Sequence, residues 1–258
     1  MKNIPIFLAV IAIILNGCCS VQKSRETIFQ YSTINALLDG IYDGDLLLEE
    51  AKKHGDFGIG TYNALDGEMV FLDGIFYQIK SNGKILTPAG TSKSPFVITT
   101  FFNTDTIILA NKKLNFEETL KFIEKDLPSK NIFYAIRING NFPYMRTRSV
   151  DAQQKPYPKM VEAIKNQKVF ESRNVRGTVM GFYFPEYSKG LNIPGFHLHF
   201  LDDNKKIGGH VLDFTLDNGI IEIDDALELY LVLPSTGDFL NHNFIGDKDA
   251  EVNKVEKK

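Results

Sequence analysis

The sequence predicts an α+β fold dominated by sheet. Apolar runs of strand length, rich in β-branched and aromatic residues and bounded by turn residues, recur over most of the chain. The dipeptide Asn139-Gly140, set between "IFYAIRI" and "FPYMRTRSV", is a strong hairpin signal. Helical signatures are few and short, the clearest being the capping box of Asn115 and Glu118.

The chain has 258 residues, 43% hydrophobic and 24% charged. That suffices for one large domain or two modest ones. The formal net charge of −3 leaves no basic footprint for nucleic acid. No repeat period is visible, and no low-complexity block apart from the polar tail.

Residues 1–17 read as a signal peptide. A positive Lys2 precedes an apolar run from Ile4 to Leu15, too short for a comfortable membrane span. The run ends in "LNGC", Leu15 to Cys18, which resembles the bacterial lipobox, so a lipid on Cys18 is expected; a plain secretory signal and an uncleaved anchor are the alternatives. Cys19 and Ser20 lack the Asp associated with inner-membrane retention, which points to the outer membrane, facing the periplasm, or to the cell surface. Cys18 and Cys19 are the only cysteines, so no disulfide staples the fold and no thiolate binds a metal. Residues 18–27 read as a tether.

"STINALLDG" then reads as a helix, with Ser32 as N-cap and Gly40 closing it. Asp45 is expected to cap a second short helix through "LLLEEAKK", ended by Gly55. Strand and turn follow from Phe57 to Gln78, and "SPFVITTFF" is a further strand. The Asn115 box opens a helix from Phe116 to Leu127. Its Phe116, Leu120, Ile123 and Leu127 share one face, and Pro128 stops it. After the Asn139-Gly140 hairpin comes "QQKPYPK" (153–159), the best linker candidate. It divides the chain into halves, 28–150 and 151–258. "VEAIKNQ" reads as helix, and "VFESRNVRGTVMGFYFP" and "IIEIDDALELYLVLP" as strand. The tail "DKDAEVNKVEKK" reads as a frayed charged end.

The second half holds "GFHLHFLDDNKKIGGHVLDF", with three of the five histidines. It reads as a hairpin turning at "DDNKK". His197 and His199 are two apart and point to one face of a strand. With the turn centred between Asn204 and Lys205, His199 lies opposite His210, about 4.5–5.5 Å away at Cβ. A bulge at Gly208-Gly209 would shift that register by one. Three converging imidazoles suit a divalent metal, zinc first, and three protein ligands leave the open position of a catalytic site. Ordinary strand histidines are the alternative.

Elsewhere, "GTYNALDGEM" places Thr61 and Glu68 on either side of a turn; Glu68 precedes an apolar run and reads as a partly buried carboxylate or as a solvent-facing hairpin charge. Arg146 and Arg148 share a strand face and suit a carboxylate, or are surface arginines. His54 and His242 lack partners in sequence and read as structural or exposed.

Together, "FQYSTINALLDGIYDGD", "HGDFGIGTYNALDGEMVFLDGIFYQ", "YAIRINGNF", "QQKPYPK", "GFHLHFLDD" and "GGHVLDF" resemble the bacterial acetolactate decarboxylase family over nearly the whole mature chain. The resemblance implies two domains on mixed β-sheets with few short helices and a metal site near their junction. It implies one Zn2+ per chain on His197, His199 and His210. Glu68, Arg148 and Thr61 fall on the family's active-site positions, and Glu256 on a tail glutamate that reaches the metal, with Glu251 as fallback. The implied reaction decarboxylates 2-acetolactate to acetoin and CO2 through a metal-stabilised enediolate. A homodimer is left open. The alternatives are a membrane-anchored module that binds metal or a hydroxy acid without turnover, and a cupin-like oxygenase. Against the oxygenase, "FLDDNKKIGGH" lacks the glutamate that cupins place soon after the second His.

Overall fold

The computed structural model describes residues 26–256, with the Glu256 side chain left out. The expected signal peptide, Cys18 and nearly all of the tether lie outside these residues. Along the chain run β1 (Thr27–Tyr31), α1 (Ile34–Leu38), β2 (Leu46–Leu47), α2 (Leu48–Ala51), β3 (Phe57–Thr61), β4 (Glu68–Leu72), β5 (Ile75–Ile79), β6 (Ile85–Leu86), β7 (Lys93–Ser94) and β8 (Val97–Thr100). Then come β9 (Thr106–Ala110), β10 (Leu114–Asn115), α3 (Phe116–Asp126), β11 (Phe133–Ser149), α4 (Met160–Ala163), β12 (Lys168–Phe184), β13 (Gly195–Asp202), β14 (Gly208–Leu216), β15 (Asn218–Ala226), β16 (Glu228–Val232), α5 (Gly237–Leu240) and α6 (Asp249–Glu256). The fold is α+β, mostly sheet, with short helices.

Two seven-stranded sheets carry it. The first has the order β16-β1-β8-β3-β4-β5-β6 and is mixed, because β16 runs parallel to β1 while its other pairs are antiparallel. The second has the order β10-β14-β13-β12-β11-β15-β9 and is antiparallel throughout. An additional pairing of β14 with β11 closes β11, β12, β13 and β14 into a ring. One core cluster spans both sheets, with Ile59 and Val70 of the first packed with Phe182 and Leu201 of the second.

The sheets do not divide the chain at residue 150. Strands β9, β10 and β11 precede that point yet belong to the second sheet, and β16 returns late to the edge of the first. The expected hairpin at Asn139-Gly140 is also absent. Strand β11 runs unbroken through it, pairing Gly140 with Gly177 on one side and Gly219 on the other. A Cβ on Gly140 would lie 2.6 Å from Leu216 Cδ1 and 2.7 Å from the Asn218 carbonyl. The glycine serves close approach in mid-strand, not a turn.

The caps are mixed. Thr33, not Ser32, caps α1 by accepting the Ala36 N–H at 3.2 Å. Asp45 caps nothing and instead bonds the Tyr31 and Ser235 hydroxyls. The Asn115–Glu118 capping box of α3 is present, both bonds at 2.9 Å. The tail is no frayed end: α6 forms there and buries Val252 and Val255.

Candidate metal and active site

Five of the six proposed site residues with described side chains come from three strands of the ring and one of the first sheet. His197 and His199 sit on β13, His210 on β14, Arg148 on β11 and Glu68 at the start of β4; Thr61, the sixth, ends β3. All six line one small cavity of about 20 Å3.

The hairpin register is the unshifted one, His199 opposite His210. Gly209 takes φ +132, and a Cβ there would lie 2.4 Å from the Arg148 carbonyl. Gly209 therefore lets β14 close on β11, which sets Arg148 directly opposite His210. The three imidazoles offer ligand atoms all within 4.8 Å of one another. Each is almost fully buried.

Burial, with the charge of Arg148 nearby, pushes His197 down to about 3. Burial likewise drives His199 and His210 well below the ordinary imidazole value. Neutral imidazole is the form that binds a metal. His199 Nδ1 lies 2.8 Å from the Met69 carbonyl oxygen. A carbonyl only accepts, so the proton sits on Nδ1 and Nε2 keeps its lone pair. Met69 follows Glu68 in β4, so the first sheet orients a histidine carried by the second.

The residues fit a divalent metal: a buried, neutral, three-imidazole donor set with one tautomer fixed by backbone. Glu68 Oε2 lies 3.7 Å from His199 Nε2, and Glu68 Oε1 lies 3.9 Å from Arg148 Nη1. Arg148 is 1% exposed and Glu68 8%. The Thr61 hydroxyl donates to the Gly67 carbonyl at 2.7 Å, and Thr61 faces Glu68 across the β3–β4 pair. Thr61 thus fixes the turn that presents Glu68.

Arg146 does not join the site; it lies 4.0 Å from Glu171 with a 40% exposed side chain. Glu251 sits 3.8 Å from Lys159 and does not line the cavity. Glu256 ends α6, and its side chain is outside the described part. His54 stacks on Phe29, centroids 4.0 Å apart, and His242 is bonded to Asp39 at 2.9 Å, so both are structural.

Sequence reasoning missed the apolar wall, Ile34, Leu37, Leu65, Phe96 and Met160. None carried a sequence signal, but the structure marks Leu65. It lies in the "NALDG" turn, where Ala64 and Leu65 take positive φ of 62 and 55. Bulky residues rarely adopt that region, and such strain gathers at functional sites.

A family model described as alpha-acetolactate decarboxylase matches residues 28–245. The alpha-acetolactate decarboxylase of Methanosarcina mazei is 44% identical over 236 residues, covering 92% of this chain and 82% of that protein. That of Bacillus subtilis is 47% identical over 224 residues, covering 86% and 88%. The crystal structure of alpha-acetolactate decarboxylase from Bacillus subtilis superposes with a TM-score of 0.88 at 44% identity, covering 90% of this chain and all of that one.

Proposed function

The chain belongs to the alpha-acetolactate decarboxylase family and is an enzyme of that class, and from that premise we propose that it converts 2-acetolactate to acetoin and CO2 with one zinc ion per chain on His197, His199 and His210. The observation that carries the reading is the buried cluster of three neutral imidazoles beside Arg148 and Glu68. Family membership over residues 28–245 leaves the turnover-free module and the cupin-like oxygenase without support.

In the reaction the bond between C2 and the carboxylate breaks, and CO2 leaves without its electron pair. That pair delocalises into the adjacent ketone as an enediolate, and one proton then arrives at C2. A cation held by the three histidines supplies a Lewis acid for the oxygens that gain charge. Arg148, buried and always protonated, orients the substrate carboxylate through its planar donors. Glu68 lies within 4 Å of both Arg148 and His199 and carries the proton. Thr61 keeps Glu68 in place through the Gly67 carbonyl. The apolar wall excludes water and receives the methyl groups. The tail carboxylate that the family resemblance implies would be Glu256, with Glu251 as the fallback; both belong to α6, which packs against α4.

Steady-state acetoin formation by purified, zinc-loaded protein tests the reading. Wild type should form acetoin; His199→Ala should lose both bound zinc and turnover. Full zinc occupancy in His199→Ala would overturn the ligand assignment.

We further propose a lipid on Cys18, which would hold the enzyme at a membrane surface outside the cytoplasm, on the outer membrane facing the periplasm or at the cell surface. It is supported by Lys2, the short apolar run and "LNGC". A fatty-acid probe should label wild-type cells and spare Cys18→Ser, with the Cys18→Ser/Cys19→Ser pair as control; equal labelling would reject the anchor.

A further inference from the structure

Asp39 lies outside the cavity, yet it is one of the best-connected side chains in the fold. It follows α1 as its C-cap, and its side chain is 4% exposed. Two lysines and a histidine from two distant segments converge on it. Lys248 Nζ lies 2.6 Å and Lys159 Nζ 3.4 Å from Oδ1, and His242 Nε2 lies 2.9 Å from Oδ2. Burial alone would push this carboxyl up, but the hydrogen bonds from Lys248 and His242 outweigh it and hold the group below its ordinary value. Asp39 is therefore ionised.

Two of these partners, Lys159 and Lys248, begin helices beside the site. Lys159 is the N-cap of α4, whose first residue Met160 lines the cavity. Lys159 also reaches Glu251 of α6 at 3.8 Å. The Lys248 carbonyl accepts the Glu251 and Val252 N–H groups, so Lys248 starts α6. Asp39 itself ends α1, whose Ile34 and Leu37 line the same cavity. Val252 and Val255 of α6 pack in one cluster with Ile34, Leu37 and Met160. The three short helices that make or back the apolar wall thus meet at a single carboxylate.

We propose that Asp39 is a positioning residue for the decarboxylation: it docks the C-terminal segment, His242 to Glu256, against α1 and α4 and so completes the wall of the active site. It touches no reacting atom and acts through Lys248, His242 and Lys159. The side chain of Lys248 is 9% exposed, so its ammonium has little water to replace a lost counter-charge. Removing the carboxylate leaves a buried cation unpaired, and α6 lifts to hydrate it. Removing both charges leaves no such drive, because a neutral pair of similar size tolerates burial.

The proposal rests on the decarboxylase reading for its catalytic arm only. Hydrogen exchange on the full, zinc-loaded chain reads docking independently of turnover. Asp39→Asn should speed exchange at the Val252 and Val255 amides at least about tenfold, leave the β12 and β13 amides and the zinc content unchanged, and lower kcat about tenfold. Asp39→Glu, which keeps the charge, should restore most of both. Adding Lys248→Met to Asp39→Asn should also restore protection of α6. Should Asp39→Asn fail to fold, Lys248→Met alone strips one tie and should show the same local opening in smaller measure. Unchanged exchange in α6, or a loss of turnover with α6 still protected, would overturn the proposal. So would an open α6 with wild-type kinetics. A wild type that forms no acetoin would instead count against the decarboxylase reading while the exchange result stood.

Discussion

The cavity has two walls of different construction. The polar wall, with the histidines, Arg148 and Glu68, rides on strands that are each paired to neighbours on a sheet or ring. Of the apolar wall, Ile34, Leu37 and Met160 ride on α1 and α4, of five and four residues, and the eight-residue α6 packs behind them. Helices that short do not hold in water alone, because nucleation outweighs the few bonds formed. They depend on the shared core and on the ions around Asp39. The residues proposed for the chemistry therefore sit on paired strands, and the wall proposed to close the site is backed by short helices that meet at one buried carboxylate.

That contrast can be broken by experiment, starting with the largest effect. Glu68→Gln keeps size and strand pairing but removes the ability to carry a proton. On the polar wall it should leave zinc content and α6 exchange untouched while turnover falls roughly 10²–10⁴-fold, the range for general acid–base catalysis. Steady-state acetoin formation with zinc measured in parallel checks it; near-normal kcat would remove Glu68 from the mechanism. On the other wall, the smaller loss expected for Asp39→Asn should come with an opened α6, so exchange separates the two walls where rates alone do not.

The smallest effect on activity is expected away from both walls. Asp224 of β15 is buried beside the segment that crosses from the first sheet to the second, and it accepts the Asn103 N–H at 3.1 Å. Burial pushes its carboxyl up to about 7, the Asn103 bond opposes this, and the charges of Asp105 and Asp225 add to it. The folded state holds this proton more tightly than the unfolded one, whose value is near 3.8. The contribution to stability is thus complete below about pH 4 and is lost as pH rises through 7. Between pH 5 and pH 8 the wild-type Tm should fall relative to that of Asp224→Asn, on the order of 5 °C, with kcat of the variant unchanged. Parallel Tm curves for the two proteins would show that Asp224 does not titrate in this way.

What was legible in the sequence was local. The His-x-His spacing, the turn at "DDNKK" and the distance to His210 define a two-strand geometry with few solutions, and the structure adopts the one expected. The capping box of α3 was legible because both partners lie within four residues. Gly140 misled because the same absence of a side chain serves a tight turn and a crowded mid-strand, and only the strands on either side decide between them.

The sequence by itself determined a sheet-rich α+β chain, the histidine hairpin and, through long motifs, the family. Tertiary structure alone decided which sheet each strand joins, since β9, β10, β11 and β16 pair with partners far away in the chain. It alone decided that Met69 orients His199, that Arg148 is buried while Arg146 is not, and that Asp39 gathers Lys159, His242 and Lys248. These contacts join residues up to 209 positions apart. Pattern and propensity act over a turn or a strand, whereas burial and charge pairing depend on which surfaces meet once the sheets have packed.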